Sequence, residues 1–209
     1  MSQLVSYLES FNRKERFFLV GKALGNPRFG LCDAFRAELG NLFEVTVPAN
    51  AFVAMDYHLD WLHAALVLSG GGAEESVHSN AEHDVHGNQE DIDLLVAFEA
   101  DGAVHLLLLE AKAETGWTNK QMHSKAQRLA GIFGQDGQRY PLARPQLALL
   151  SPREPQQLQS ERWPAWMVRS DGKPRWLQLR VPDGLRRVER CDADGRACTE
   201  GGHFRILKQ

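Results

Sequence analysis

Two apolar runs, 92–98 and 104–109, are hydrophobic at odd and even positions alike, which predicts two central strands covered on both faces. Between them stands Asp101-Gly102, a pair suited to the tight two-residue turn of an antiparallel hairpin. Upstream, Phe52, Met55, Leu59, Leu62 and Leu66 recur at three- and four-residue intervals. That period predicts an amphipathic helix over 51–68, with Asp56, Asp60 and His63 on another face. Downstream, a second amphipathic helix is expected over 115–133. Met122, Ala126, Leu129 and Phe133 form its apolar stripe, and Gln121, Lys125 and Arg128 form a polar one. A short strand is expected over 146–150, bracketed by Pro145 and Pro152.

The flanking segments read less regularly. Asn12-Arg13-Lys14-Glu15 has capping-box spacing before an apolar run from Phe17 to Leu24, which Asn26-Pro27 breaks. A short helix is expected over 31–39, stopping at Gly40-Asn41, then an extended segment over 43–47 closed by Pro48. Ser69-Gly70-Gly71-Gly72 opens a polar, His-bearing stretch to Gln89, with at most one short strand near 81–86. Loops of that length are usually functional or mobile. Beyond 153, the turn pairs Asp171-Gly172, Asp183-Gly184 and Asp194-Gly195 predict short hairpins.

At 209 residues and 43% hydrophobic content, the chain supports one core. We expect a single α/β domain: a helical segment over 1–50, a core over 51–152 and a β-rich extension over 153–209. No stretch approaches the roughly 18 apolar residues of a membrane span, and the first residues hold no apolar leader region. A soluble, cytoplasmic protein is expected. Cys32, Cys191 and Cys198 form no CxxC pair, so neither a disulfide framework nor a cysteine zinc site is implied.

Charge changes the picture. Residues 1–112 hold 7 Lys and Arg against 17 Asp and Glu, a net of -10, while residues 113–209 hold 17 against 10, a net of +7. An acidic half that attracts cations beside a basic half that can meet phosphate fits this division. Solvated faces that differ by chance would give the same count.

The hairpin register brings charge to one place. A two-residue turn at Asp101-Gly102 pairs Ala100 with Ala103 and sets Asp93 opposite Glu110. Side chains opposed in this way have Cβ atoms roughly 4.5–5.5 Å apart, close enough for one divalent cation to take an oxygen from each carboxylate. Lys112, two residues beyond Glu110, leaves the same face. Asp91 falls opposite Lys112 and is a rival to Asp93 for the ligand role. A plain ion-pair cluster uses the same residue types, and it predicts Asp93 and Glu110 far apart or on opposite faces.

Asp93 at the head of one strand, a hairpin, Glu110-Ala111-Lys112 at the end of its partner and an amphipathic helix together resemble the PD-(D/E)xK superfamily of restriction endonuclease-like nucleases. The resemblance covers about 51–151. It implies an αβββαβ core with a mixed central sheet, and Mg²⁺- or Mn²⁺-dependent hydrolysis of nucleic acid, DNA before RNA. It further implies Asp93, Glu110 and the Ala111 carbonyl as metal ligands, and Lys112 as the group that orients or deprotonates the attacking water. A helical carboxylate completes the family's set; Asp60 is the first candidate, with Asp56 and Glu38 as rivals. Gln121, Lys125 and Arg128 are candidates for substrate phosphate, although a solvated face explains them equally. A homodimer is one assembly that the resemblance allows. The departure from the family pattern is Ile92, which stands where a Pro often precedes the aspartate. A non-catalytic binding or scaffolding subunit of the same fold is the rival function.

His78, His83 and His86 match no common zinc spacing. Trp163, Trp166 and Trp176 are read as core before base-stacking residues.

Overall fold

The hairpin at Asp101-Gly102 forms the centre of a five-stranded mixed sheet in the computed structural model, which describes residues 2–25, 29–88, 90–113 and 116–208. Asp101 and Gly102 both have positive φ, 51° and 74°, as a type I′ turn requires. The strands are β1 (Phe52–His58), β2 (Asp91–Ala100), β3 (Ala103–Ala111), β4 (Ala143–Ser151) and β5 (Arg175–Gln178), in that spatial order. β1, β2 and β3 are antiparallel neighbours, whereas β4 lies parallel to β3 and β5 parallel to β4. Four helices precede or follow β1: α1 (Gln3–Phe11), α2 (Glu15–Leu24), α3 (Asp33–Phe43) and α4 (Leu59–Ser69). A fifth, α5 (Asn119–Phe133), makes the crossover from β3 to β4.

Helices cover the sheet on both faces, which is why β2 and β3 are apolar at successive positions over 94–98 and 106–109. Leu8 of α1, Leu62 and Leu66 of α4, and Met122, Leu129 and Phe133 of α5 pack with Ala54, Leu95, Leu106, Leu108 and Leu147 on one face. Leu39 and Phe43 of α3 pack with Val53, Val96, Phe98, Leu107, Leu109 and Leu150 on the other. Side chains such as Leu106 and Leu107 are fully buried, and each contributes roughly 1.5–3 kcal/mol of transfer free energy.

Several expectations change. The helix expected over 51–68 is β1 followed by α4; Phe52–His58 are strand. The apolar run from Phe17 to Leu24 lies in α2, but Asn12 does not cap it: Asn12 is the C-cap of α1, and Lys14, the N-cap of α2, makes no side-chain cap. The break expected at Asn26-Pro27 lies outside the described residues. α3 runs through Gly40 to Phe43, because the returning backbone packs there. A Cβ at Gly40 would lie 2.8 Å from the Val45 carbonyl oxygen, and Val45 N–H donates to Gly40 O. Of the extended segment expected at 43–47, Phe43 ends α3 and the rest is turn and irregular structure, as is the strand expected at 81–86. β4 begins before Pro145, which is tolerated because β5 pairs only from Ala148 onward, so the Pro145 nitrogen faces no strand on that side.

Residues 1–179 form one unit and 180–209 a second, a two-stranded ribbon of β6 (Arg186–Cys191) and β7 (His203–Lys208). The three cysteines are free thiols. Among the described residues, no helix is long and apolar enough to cross a membrane.

Candidate functional site

The site begins with an irregularity shared by β1 and β2. Their pairing runs Val53↔Val96, Ala54↔Leu95, Met55↔Leu94, then skips Asp56 and Asp93 and resumes at Tyr57↔Ile92 and His58↔Asp91. Strict alternation would send Ala54 and Tyr57 to opposite faces, and likewise Ile92 and Leu95. Instead all four lie in the same core, beneath α1, α4 and α5. The pleat therefore inverts in both strands at the unpaired couple Asp56 and Asp93, and Asp56 takes φ +49° to achieve it. One oxygen from each of Asp56, Asp91 and Asp93 lies within 4.8 Å of the others, and all three residues are half-buried.

The β2–β3 ladder follows the predicted register as far as Leu94↔Leu109 and then stops. Asp93 is not paired directly with Glu110. Its carboxylate Oδ2 instead accepts the Ala111 N–H at 2.6 Å, bridging the two strands by a side chain. Lys112 N–H donates to Leu150 O at 2.8 Å, toward β4. By alternation, Ala111 turns its N–H and carbonyl the other way, to the Asp93 side.

Glu110 shares the face of Leu106 and Leu108 and is buried. Its Oε1 lies 3.0 Å from the Lys125 ammonium in an ion pair. The same ammonium donates to the Asp91 carbonyl oxygen. Burial pushes the Glu110 carboxyl up to about 7, against the pull of Lys125 and with the added push of Asp93. Asp93 is also raised. Burial is the main cause, opposed by the Ala111 hydrogen bond and Lys125 and reinforced by Asp91 and Asp56. Like charges crowded in a desolvated place favour protonation or a cation.

Lys112 sits two residues beyond Glu110, its ammonium 5.9 Å from the centre of the Trp117 ring. Trp117 and Trp176 both donate their indole N–H to Ser151 Oγ, at 3.1 and 3.0 Å, which fixes the aromatic wall at the end of β4. Trp163 is buried, and Trp166 and Trp176 pack against the core, as expected.

Asp60 stands apart from this cluster. It accepts from Arg128 at 2.6 Å and from the His86 and Gly87 amides at 3.0 and 2.8 Å, so both its oxygens tie α4 to α5 and to the 86–87 backbone. Arg128 is correspondingly buried and turned to Asp60 rather than to a ligand. Glu38 is exposed on α3 and is not among the charges acting on Asp93. Gln121 is exposed near the start of α5, where it accepts from Thr118. Of the polar stripe on α5, Lys125 alone reaches Glu110. The carboxylate that joins Asp93 is Asp56, on a strand, together with Asp91.

Two residues that sequence reasoning missed also meet the cluster. Arg16 lies 2.5 Å from Asp56 Oδ2, and Lys14 lies 3.6 Å from Asp91 Oδ2. No local pattern announces them, because their partners lie 40 and 77 residues away. His78 contacts Ser76 and the Ala73 carbonyl within its own loop, and the His86 amide serves Asp60.

The chain matches no family model, no curated protein and no solved structure.

Proposed function

We propose that the chain is a metal-dependent nuclease with a PD-(D/E)xK-type site, acting on phosphodiester bonds of nucleic acid, DNA foremost. The observation that carries this reading is the cluster of Asp56, Asp91 and Asp93, with Asp93 Oδ2 tied to the Ala111 N–H, at the splayed end of the β2–β3 hairpin where Glu110 also stands. The element order supports it. With α4 taken as an insertion after β1, the succession α3-β1-β2-β3-α5-β4 has the αβββαβ form of the restriction endonuclease-like core, including the parallel pairing of β3 with β4.

The donor set fits Mg²⁺ or Mn²⁺. Three carboxylates offer hard oxygen atoms within 4.8 Å of one another, and a fourth, Glu110, is buried against Lys125. Asp93, Asp56 and Asp91 are the residues to hold the ion, with Glu110 and the Ala111 carbonyl beside them. When bound, a divalent cation polarises the phosphoryl oxygen and makes water a nucleophile at neutral pH. Lys112, beyond Glu110 on the same strand, orients the water and offsets charge developing on the phosphate. Lys125 keeps Glu110 closer to its ionised form.

Incubation with plasmid, linear and single-stranded DNA, with and without Mn²⁺, tests the proposal. Cleavage is expected only with metal, and it should fall by about a hundredfold or more in Glu110→Ala and Lys112→Ala. Activity close to wild type in either substitution refutes the assignment. Absence of both cleavage and metal binding by calorimetry favours the non-catalytic binding subunit instead.

A further inference from the structure

The acidic half of the chain holds 7 Lys and Arg, and three of them, Arg13, Lys14 and Arg16, fall within four residues. Two of the three contact the carboxylate cluster: Arg16 at Asp56 and Lys14 at Asp91. A divalent cation would take oxygen atoms from these same two carboxylates. A guanidinium 2.5 Å from Asp56 Oδ2 already neutralises the charge that would draw a metal ion, so the two cations compete for that carboxylate.

The segment that carries these cations is lightly held. None of the ten residues of α2 is buried, and Phe18 and Leu19 are exposed on it. Phe17 touches Phe29 with ring centres 5.6 Å apart. By contrast, α1 is anchored through Leu4, Val5 and Leu8, and the Leu8 carbonyl accepts the buried Tyr57 hydroxyl at 2.9 Å. Residues 12–14 therefore join a fixed helix to one that can shift at little cost in buried area.

We infer that Lys14 and Arg16 form a phosphate-binding element of the site, exchanging Asp91 and Asp56 for substrate phosphate oxygens when a divalent cation takes those carboxylates. The inference rests on the nuclease reading and extends it to the N-terminal segment. Arg16, more than half exposed, presents a fork that suits a phosphate as well as a carboxylate. The exchange keeps each cation next to an anion in both arrangements. It also couples metal binding to substrate binding.

The coupling requires Arg16→Gln to act in opposite directions on two affinities. Calorimetric titration with Mn²⁺, without nucleic acid, should show tighter binding to Arg16→Gln than to wild type, by about three- to tenfold, since a competitor is removed. Binding of a fluorescent DNA duplex with Mn²⁺, measured in a Lys112→Ala background so that the duplex stays intact, should weaken about tenfold on adding Arg16→Gln. The slope of log affinity against log salt should fall by about one phosphate contact. Lys14→Gln should repeat both effects. Unchanged or weaker Mn²⁺ binding, or an unchanged DNA affinity and salt slope, overturns the inference. If wild type binds Mn²⁺ and cleaves DNA while Arg16→Gln moves neither affinity this way, the inference alone fails. If wild type binds no Mn²⁺, the nuclease reading falls and takes the inference with it.

Discussion

Asp56 and Asp93 face one another at the only step of the β1–β2 register that is left unpaired between Val53↔Val96 and His58↔Asp91, and both strands invert their pleat there. Two carboxylates opposed at such a point repel one another, and Arg16 beside Asp56 and the Ala111 amide on Asp93 offset that repulsion only in part. Asp93→Asn keeps an oxygen to accept the Ala111 amide and removes one charge. We expect it to unfold at the same temperature as wild type or slightly higher, to bind Mn²⁺ at least tenfold more weakly, and to lose DNA cleavage. Thermal unfolding and calorimetry on the same preparation check the pair of outcomes. A large fall in melting temperature would instead make Asp93 a structural strut.

Asp60 and Asp56 should separate cleanly by mutation. Asp60→Ala strands the buried Arg128 guanidinium and two backbone amides, so a loss of about 3 kcal/mol in denaturant-measured stability is expected, with Mn²⁺ affinity unchanged. Asp56→Ala should do the reverse, weakening Mn²⁺ binding with less than about 1 kcal/mol lost. Equal effects of the two on metal binding would place Asp60 in the site after all.

The helical period read over 51–68 joined two elements. Phe52 packs in the core while Met55 is exposed, so the three-residue interval between them spans both faces of a strand, and only Leu59, Leu62 and Leu66 belong to the helix that follows. That reading drew attention to Asp60 on the helix rather than to Asp56. The β2–β3 hairpin was legible because its turn residues and its two-sided burial are local signals. That register places Asp93 and Glu110 at the same end of the hairpin. It could not show the exact pairing, since the Asp93 side chain takes the Ala111 amide that a regular ladder would have used. Lys14, Arg16 and the Asp60–Arg128 link depend on contacts between distant segments, for which no spacing rule exists.

Glu110 gives the free protein a pH signature. Its carboxyl stands near 7 in the fold, above the ordinary value of 4.5, so the folded state binds the proton more tightly than the unfolded one. Its contribution is fully present below about pH 4.5 and is lost as pH rises to about 7, where a buried carboxylate remains; the change amounts to at most about 3 kcal/mol. Asp93, also raised, acts in the same direction. Denaturant unfolding across pH 4–8 should show the decline in metal-free wild type and a flatter profile in Glu110→Gln. Mn²⁺ affinity should climb over the same interval and level off above it. A stability profile that is identical in Glu110→Gln and wild type would contradict this.

The two lysines near Glu110 should fail in different ways. Lys125 lies against the Glu110 carboxylate and the Asp91 carbonyl, so Lys125→Met removes the charge that holds Glu110 down and lets its pKa rise further. At pH 7 this variant should bind Mn²⁺ more weakly, and at pH 9, where Glu110 ionises regardless, the affinity and much of the cleavage should return. Lys112 lies over Trp117 and makes no ion pair among the described residues, so Lys112→Ala should leave Mn²⁺ affinity unchanged at either pH. Its cleavage rate should nonetheless drop by about 10²–10⁴-fold, the usual cost of removing a positioned proton-transfer or charge-stabilising group, with no recovery at pH 9. Cleavage rates and Mn²⁺ titrations at the two pH values distinguish the residues. Recovery of Lys112→Ala at high pH, or failure of Lys125→Met to recover, would mean that the chemical and positioning roles have been assigned to the wrong lysines.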